Sequence, residues 1–242
     1  MERIFFLKRT VGIIGAVGIL PVINACKKET TTGGSGSGSG GSCVITPEEV
    51  EGPYPYPGGE LTNPLNRADV TGGQTGVPLT LAFTVVKTNN NCALISNASV
   101  DIWHCNKDGY YSGYGSQNGG TLGTQNYVGQ TWLRGYQLTD ATGKATFNTI
   151  YPGWYQGRAT HIHLEVFISN VLKKTGQITF AETISDLVHQ SSLYAAHGIN
   201  SQRNASDGIF NNSATDLANE TVALTGSVTA GYSGSYTIGI AL

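Results

Sequence analysis

Between Leu79 and Ala241 the chain is cut into short β-forming segments, each closed by glycine, asparagine or aspartate. The segments are rich in Val, Ile, Thr and aromatic residues at period two, the signature of half-buried strands. Strands are predicted over 79–88, 98–105, 132–138, 144–150, 158–169, 176–180, 222–228 and 235–241, the last two as a closing pair. Thr139-Asp-Ala-Thr-Gly143 reads as a hairpin turn between two of them, and Lys173-Lys174 as the turn ahead of Gly176. Only 183–191 reads as a helix. No repeat is visible, and the initiator is the single methionine. The expected fold is all-β: an antiparallel β-sandwich with long loops and one short helix, occupying 43–242 as one domain.

The N-terminus has a different chemistry. Arg3, Lys8 and Arg9 precede an apolar run from Val11 to Val22, too short for an ordinary membrane span and suited to a signal peptide. It ends in Ile23-Asn24-Ala25-Cys26, which resembles the bacterial lipoprotein cleavage box. Residues 1–25 are therefore expected to be a lipoprotein-type signal peptide. Residues 26–42 would be a lipid-bearing Cys26 and a Gly/Ser tether. The protein is expected in the cell envelope, lipid-anchored outside the cytoplasm. Export permits a disulfide, and Cys92, in an Asn-rich turn, is expected to meet Cys105 at the end of the next strand, leaving Cys43 unassigned. Charged residues make up 12 % of the chain and the net charge is −2, which gives no electrostatic footprint for nucleic acid.

The segment Pro152-Gly-Trp-Tyr-Gln-Gly-Arg-Ala-Thr-His-Ile-His163 carries the chemistry. Side chains alternate along a strand, so His161 and His163 share a face. Two imidazoles on a rigid strand are half of a metal site, and Tyr155 is an oxygen donor just upstream. A second block, Asp101-Ile-Trp-His-Cys-Asn-Lys-Asp-Gly-Tyr-Tyr-Ser112, ends a strand, turns and presents two tyrosines. His104, inside that strand, reads as structural; His189 and His197 match no ligand position.

Taken together these blocks resemble the intradiol ring-cleavage dioxygenases. Glu51-Gly-Pro-Tyr54, Arg67-Ala-Asp69, Asp101-Ile-Trp103 with Tyr111, 143–153, Arg158 with His161-Ile-His163, and Thr175-Gly-Gln-Ile-Thr-Phe180 all resemble segments of that family. The matches span roughly 44 to 180. The resemblance implies a non-haem Fe(3+) held by Tyr111, Tyr155, His161 and His163, with Tyr110 as the rival for Tyr111. Hard phenolate donors suit ferric iron; copper or zinc in the same ligands is the alternative. It implies cleavage of a catechol-type ring between its hydroxyls with O2, giving a cis,cis-muconate. Tyr155 would serve as the base, Arg158 would stabilise developing negative charge, and Gln177 would stand near the substrate. The partners implied are a catechol-type substrate, O2 and, through Cys26, a membrane. The single-domain shape is closer to protocatechuate 3,4-dioxygenase subunits and exported members than to catechol-type members, which dimerise through a helical region not seen here. A homo-oligomer of another kind stays open. The rival from another class is a catalytically inactive envelope binding module with the same sandwich.

Overall fold

The computed structural model describes residues 43–59, 63 and 65–242. The signal segment 1–25 and the 26–42 tether with Cys26 lie outside the described residues. The strands are β1 Pro78–Lys87, β2 Ala93–Leu94, β3 Ser99–Trp103, β4 Gln117–Asn118, β5 Thr124–Gln125, β6 Arg134–Leu138, β7 Lys144–Ile150, β8 His161–Ile168 and β9 Val171–Phe180. Helices α1 (Glu182–His189) and α2 (Ala214–Glu220) follow, then β10 Thr221–Val222, β11 Leu224–Ser227 and β12 Gly231–Ile240.

Two sheets face each other, as the strand pattern predicts. One runs β11-β12-β1-β2, with β7 also paired to β1; the other runs β10-β9-β8-β3-β6. Alternation sends Leu79, Leu81, Phe83 and Val85 of β1 inward against Val100 and Ile102 of β3 and Ile162, Leu164 and Val166 of β8. Burial of such side chains contributes about 1.5–3 kcal/mol each. The opposite face of β8, carrying His161, His163 and Glu165, is buried as well. The segment at Glu49 and Val50 is fastened to the neighbouring β9: Glu49 N–H donates to Thr175 O, and Val50 O accepts from Gln177 Nε2. A strand interior on both faces is where a cluster of polar donors can be shielded from water.

The sandwich departs from the sequence expectation in four places. The pairing is mostly antiparallel, but β1–β12 and β9–β10 are parallel. The Asp140 turn is tight, its carboxylate accepting from Thr142 and Lys144 N–H. It does not make a hairpin, because β6 pairs with β3 in one sheet and β7 with β1 in the other. The chain reverses at Ser169-Asn170, both in the left-handed region, and not at Lys173-Lys174, which lie inside β9. Asn tolerates that conformation, so the lysines need not supply a turn. A second helix, α2, follows Ser213, whose hydroxyl accepts from Asp216 N–H; it is short and polar, without the apolar stripe that marks a helix.

The disulfide joins Cys43 to Cys92, and Cys105 is free and buried. Cys92 lies in the turn between β1 and β2 of one sheet, while Cys105 follows β3 of the other and packs with Trp103 and Tyr111. Adjacent strands in sequence belong here to opposite layers, which separates the two sulfurs. The bridge closes a loop of sequence separation 49. Chain entropy assigns such a loop about 4 kcal/mol of stabilisation. Cys92→Ser is expected to lower the unfolding free energy by about 2–4 kcal/mol, measured by urea titration, with wild type under reductant showing the same loss.

Candidate metal centre

Tyr111, His161 and His163 converge on one point beneath the outer face of β8. Tyr111 Oη lies 3.2 Å from His161 Nε2 and 3.2 Å from His163 Nε2, and the two imidazole nitrogens are 3.1 Å apart. All three residues are buried. His161 Nδ1 lies 2.6 Å from Ala159 O. A carbonyl only accepts, so Nδ1 carries the proton and Nε2 presents a bare lone pair. His163 is clamped by Trp103, stacked on it at 4.9 Å with 3° between planes. Gly52 crowds its other side, where a Cβ would come within 2.8 Å of His163 Cε1.

Three mutually close heteroatoms need three protons to satisfy every edge by hydrogen bonding. Tyr111 offers one, His163 at most one, and His161 none at this nitrogen, so one edge always sets lone pair against lone pair. Burial makes protonation no remedy: it pushes His161 down to about 3, reinforced by Arg158, and His163 well below the ordinary imidazole value. Burial also drives the Tyr111 phenol well above its usual range. A cation at the centre resolves all three problems at once. Donors roughly 2.0–2.1 Å from a common ion stand about 3–3.4 Å apart, the spacing found here.

Tyr155 packs edge-on against the cluster. Its ring centroid is 5.7 Å from that of Tyr111 and 5.4 Å from that of His161. Arg158 Nη1 donates to its hydroxyl at 3.4 Å. Burial raises its pKa to about 12, against the opposing pull of the Arg158 charge. Arg158 is itself held rigidly: Nε donates to Asp207 at 2.9 Å and Nη2 to Gln177 Oε1 at 2.6 Å. The six residues named from sequence, Tyr111, Tyr155, Arg158, His161, His163 and Gln177, therefore share one neighbourhood, with Gln177 opposite His163 in the β8–β9 ladder.

The tyrosine ambiguity is resolved by direction. Tyr110 turns away, donates to Gly123 O and packs with Trp132, Leu133 and Ile150, while Tyr111 faces the histidines. Gln117 locks that register, accepting from Tyr111 N–H and donating to Tyr111 O. Tyr54, in the Glu51-Gly-Pro-Tyr54 segment singled out from sequence, joins the site together with Arg134 and Asp207, which carried no clear signal there. Tyr54 stacks on Tyr111 at 4.5 Å and meets Tyr155 edge-on. Arg134 lies over Tyr111 at 5.9 Å and donates to Ser112 O. Asp207, fully buried, accepts from Arg158 and from Ala159 N–H. Arg134 and Asp207 reach the site from distant segments, so no local spacing could have announced them.

His104 is structural, as read: Nε2 meets Thr149 Oγ1 at 2.7 Å and Nδ1 meets Cys105 O at 2.8 Å. Burial pushes it down to about 4. The unfolded chain takes up a proton below about pH 6.5 that the folded His104 refuses until about pH 4. Stability is thus expected to fall as pH drops through that window, His104 accounting for about 3 kcal/mol of the decline. Urea titrations from pH 7 to pH 4 should show a shallower decline in His104→Gln; an unchanged slope contradicts this.

A cavity of about 430 Å³ opens beside the cluster and shares Tyr155 with it. Its other walls come from the Asn118–Thr121 loop, Trp154 and His197. A larger hollow, about 620 Å³, lies between Cys43–Thr46 and Tyr236 and shares no residue with the cluster.

Known proteins resemble this chain in both sequence and shape. A family model described as dioxygenase (Dioxygenase_C) matches residues 50–208. Catechol 1,2-dioxygenase 1 of Acinetobacter lwoffii is 27 % identical over 150 residues, 54 % of this chain and 45 % of that protein. The match thus spans about half the length of that curated relative. The solved intradiol ring-cleavage dioxygenase from Tetranychus urticae superposes with a TM-score of 0.72 at 27 % identity, covering 82 % of this chain and 95 % of that one. The dioxygenase domain of a carbohydrate-binding fusion from Streptomyces sp. SirexAA-E shares the fold, with a TM-score of 0.58, 23 % identity, and coverage of 82 % and 99 %.

Proposed function

From the premise that the chain belongs to the intradiol ring-cleavage dioxygenase family, we propose that it is a non-haem iron enzyme that opens a catechol-type ring between its two hydroxyls with O2. The observation that carries this reading is the buried triangle of Tyr111 Oη and two imidazole nitrogens, which protons cannot satisfy and a cation can. Tyr111, His161 and His163 would hold Fe(3+) from the interior, and Tyr155 from the cavity side. When bound, ferric iron supplies the positive charge that keeps phenols ionised and an electrophilic centre for the catechol oxygens.

The chain's own residues do the rest. Tyr155, which borders the cavity, would take a proton from an incoming catechol hydroxyl. Arg158 lowers the cost of charge on that oxygen. Fastened by Asp207 and Gln177, its guanidinium is a preorganised cation beside the place where negative charge collects. Trp103, Tyr54 and Gly52 close the interior side to water. The expected product is a cis,cis-muconate.

Iron-loaded protein should show the visible charge-transfer band of a ferric phenolate. It should consume one O2 per catechol, and both atoms of 18O2 should appear in the ring-opened product. Colourless protein with stoichiometric iron contradicts the ligand set, and coloured protein that leaves every catechol intact is the binding module instead.

We also propose that the enzyme works in the cell envelope, anchored through Cys26; the Cys43–Cys92 bridge supports an oxidising compartment. Fatty-acid labelling that survives Cys26→Ser would contradict the anchor.

A further inference from the structure

The cavity beside Tyr155 has a chemistry of its own. One wall is a stack: Trp154 and His197 lie 3.9 Å apart with 9° between planes, and Trp154 Nε1 donates to Gly198 O. Gly109 wedges beneath the stack, in the left-handed region and so close that a Cβ would meet Trp154 O at 2.1 Å. The facing wall is a glycine loop beside the β4–β5 ribbon. Gly119 there lies against the Tyr110 hydroxyl, where a Cβ would come within 2.0 Å. Asn118, Thr121, Gln156 and Ser201 add neutral hydrogen-bonding groups.

Charge is what distinguishes this pocket. Its lining contains no lysine or arginine, and its one charged member is Asp108. Burial pushes His197 below its ordinary value, so it is neutral at pH 7. Two cations stand close by, and both are committed: Lys107 to Asp108 at 2.7 Å and Arg158 to Asp207 at 2.9 Å. A carboxylate on a bound ring would find both cations already neutralised, Lys107 by Asp108 and Arg158 by Asp207, and a charge taken out of water without a partner is costly. A neutral substituent would find an aromatic wall, several hydrogen-bonding groups and ample volume.

Resting on the catechol reading above, we propose that this site selects catechols whose ring carries a large uncharged substituent, and discriminates against catechols bearing a carboxylate. Asp108 is the gate because it holds Lys107 and leaves no cation for a carboxylate, and the Trp154–His197 stack is the platform for the substituent.

The test compares iron-loaded full-length protein with three probes: catechol, 4-(2-hydroxyethyl)catechol and 3,4-dihydroxyphenylacetate, the last two being similar in size. Binding is measured anaerobically by calorimetry, and turnover by O2 uptake. The neutral substituted catechol should bind at least about tenfold tighter than the acid. Asp108→Asn should narrow that gap, Thr121→Arg should close or invert it, and Trp154→Ala should weaken 4-(2-hydroxyethyl)catechol more than catechol. Equal binding of the neutral and acidic probes in wild type, or a gap unmoved by both charge changes, overturns the proposal. Binding that follows the expected order without O2 uptake upholds the pocket assignment and sinks the dioxygenase reading instead.

Discussion

His161→Ala protein is expected to lose its iron, its colour and more than about 100-fold of kcat/KM, a fall larger than the 10–100-fold typical of disturbing a ligand's hydrogen-bond partner. The reason is specific to this imidazole. Ala159 O holds the proton on Nδ1, which leaves Nε2 as a permanent lone pair aimed at Tyr111 and His163. No neighbour can replace it, because Trp103 stacks on His163 and Gln117 holds the Tyr111 backbone. The fold should survive, since the core face of β8 is built from Ile162, Leu164 and Val166. Tyr111→Phe makes a sharper comparison: the ring still packs on Tyr54, but the anionic donor is gone. Iron content by elemental analysis, the visible band and O2 uptake should fall together in both variants. Stoichiometric iron with unchanged colour and turnover in either would place the centre elsewhere.

Asp207→Ala is expected to cost about 3–5 kcal/mol of stability, the loss found when one partner of a buried ion pair is removed. Asp207 is fully buried and Arg158 nearly so, with side-chain exposures of 0 % and 14 %. Besides Arg158, the carboxylate accepts from Ala159 N–H at 2.6 Å and Ile209 N–H at 2.8 Å, so truncation strands several donors. Activity should fall too, because Arg158 would no longer be pinned beside Tyr155. Burial raises the Asp207 pKa, but the Ala159 N–H and Arg158 outweigh it and leave the carboxyl below the usual range. Its contribution is therefore complete above about pH 4, the ordinary aspartate value, and is lost as pH falls through the lower folded value. Asp207→Asn, which keeps an acceptor without the charge, should fall between wild type and Ala in both urea stability and turnover. An Asp207→Ala protein as stable and active as wild type would show that Arg158 needs no anchor.

The strands were legible because period-two alternation is a local property. β7 is read to the residue, and β1, β3, β6 and β8 within a few residues, since their inward positions are marked by branched and aromatic side chains. The face shared by His161 and His163 follows from the same geometry. Sheet membership was not legible. The Asp140 turn has the same residues whether its flanking strands pair or diverge to opposite layers, and the Cys92–Cys105 expectation failed for that reason. The α2 helix and the Ser169-Asn170 reversal were missed because a short polar helix and a two-residue turn leave almost no periodic trace.

By itself, the order of residues determined that this chain makes strands, that two imidazoles point the same way, and which residue types gather near them. Those are consequences of backbone geometry acting over a few positions. Only the tertiary structure decided which tyrosine turns inward, that Arg134 and Asp207 complete the surroundings, which cysteines join, and that the neighbouring cavity is lined by one carboxylate and no lysine or arginine. Those depend on contacts between segments about 50 residues apart in the chain. Such contacts are set by how two layers stack and by which loops cover them, and no local pattern encodes that.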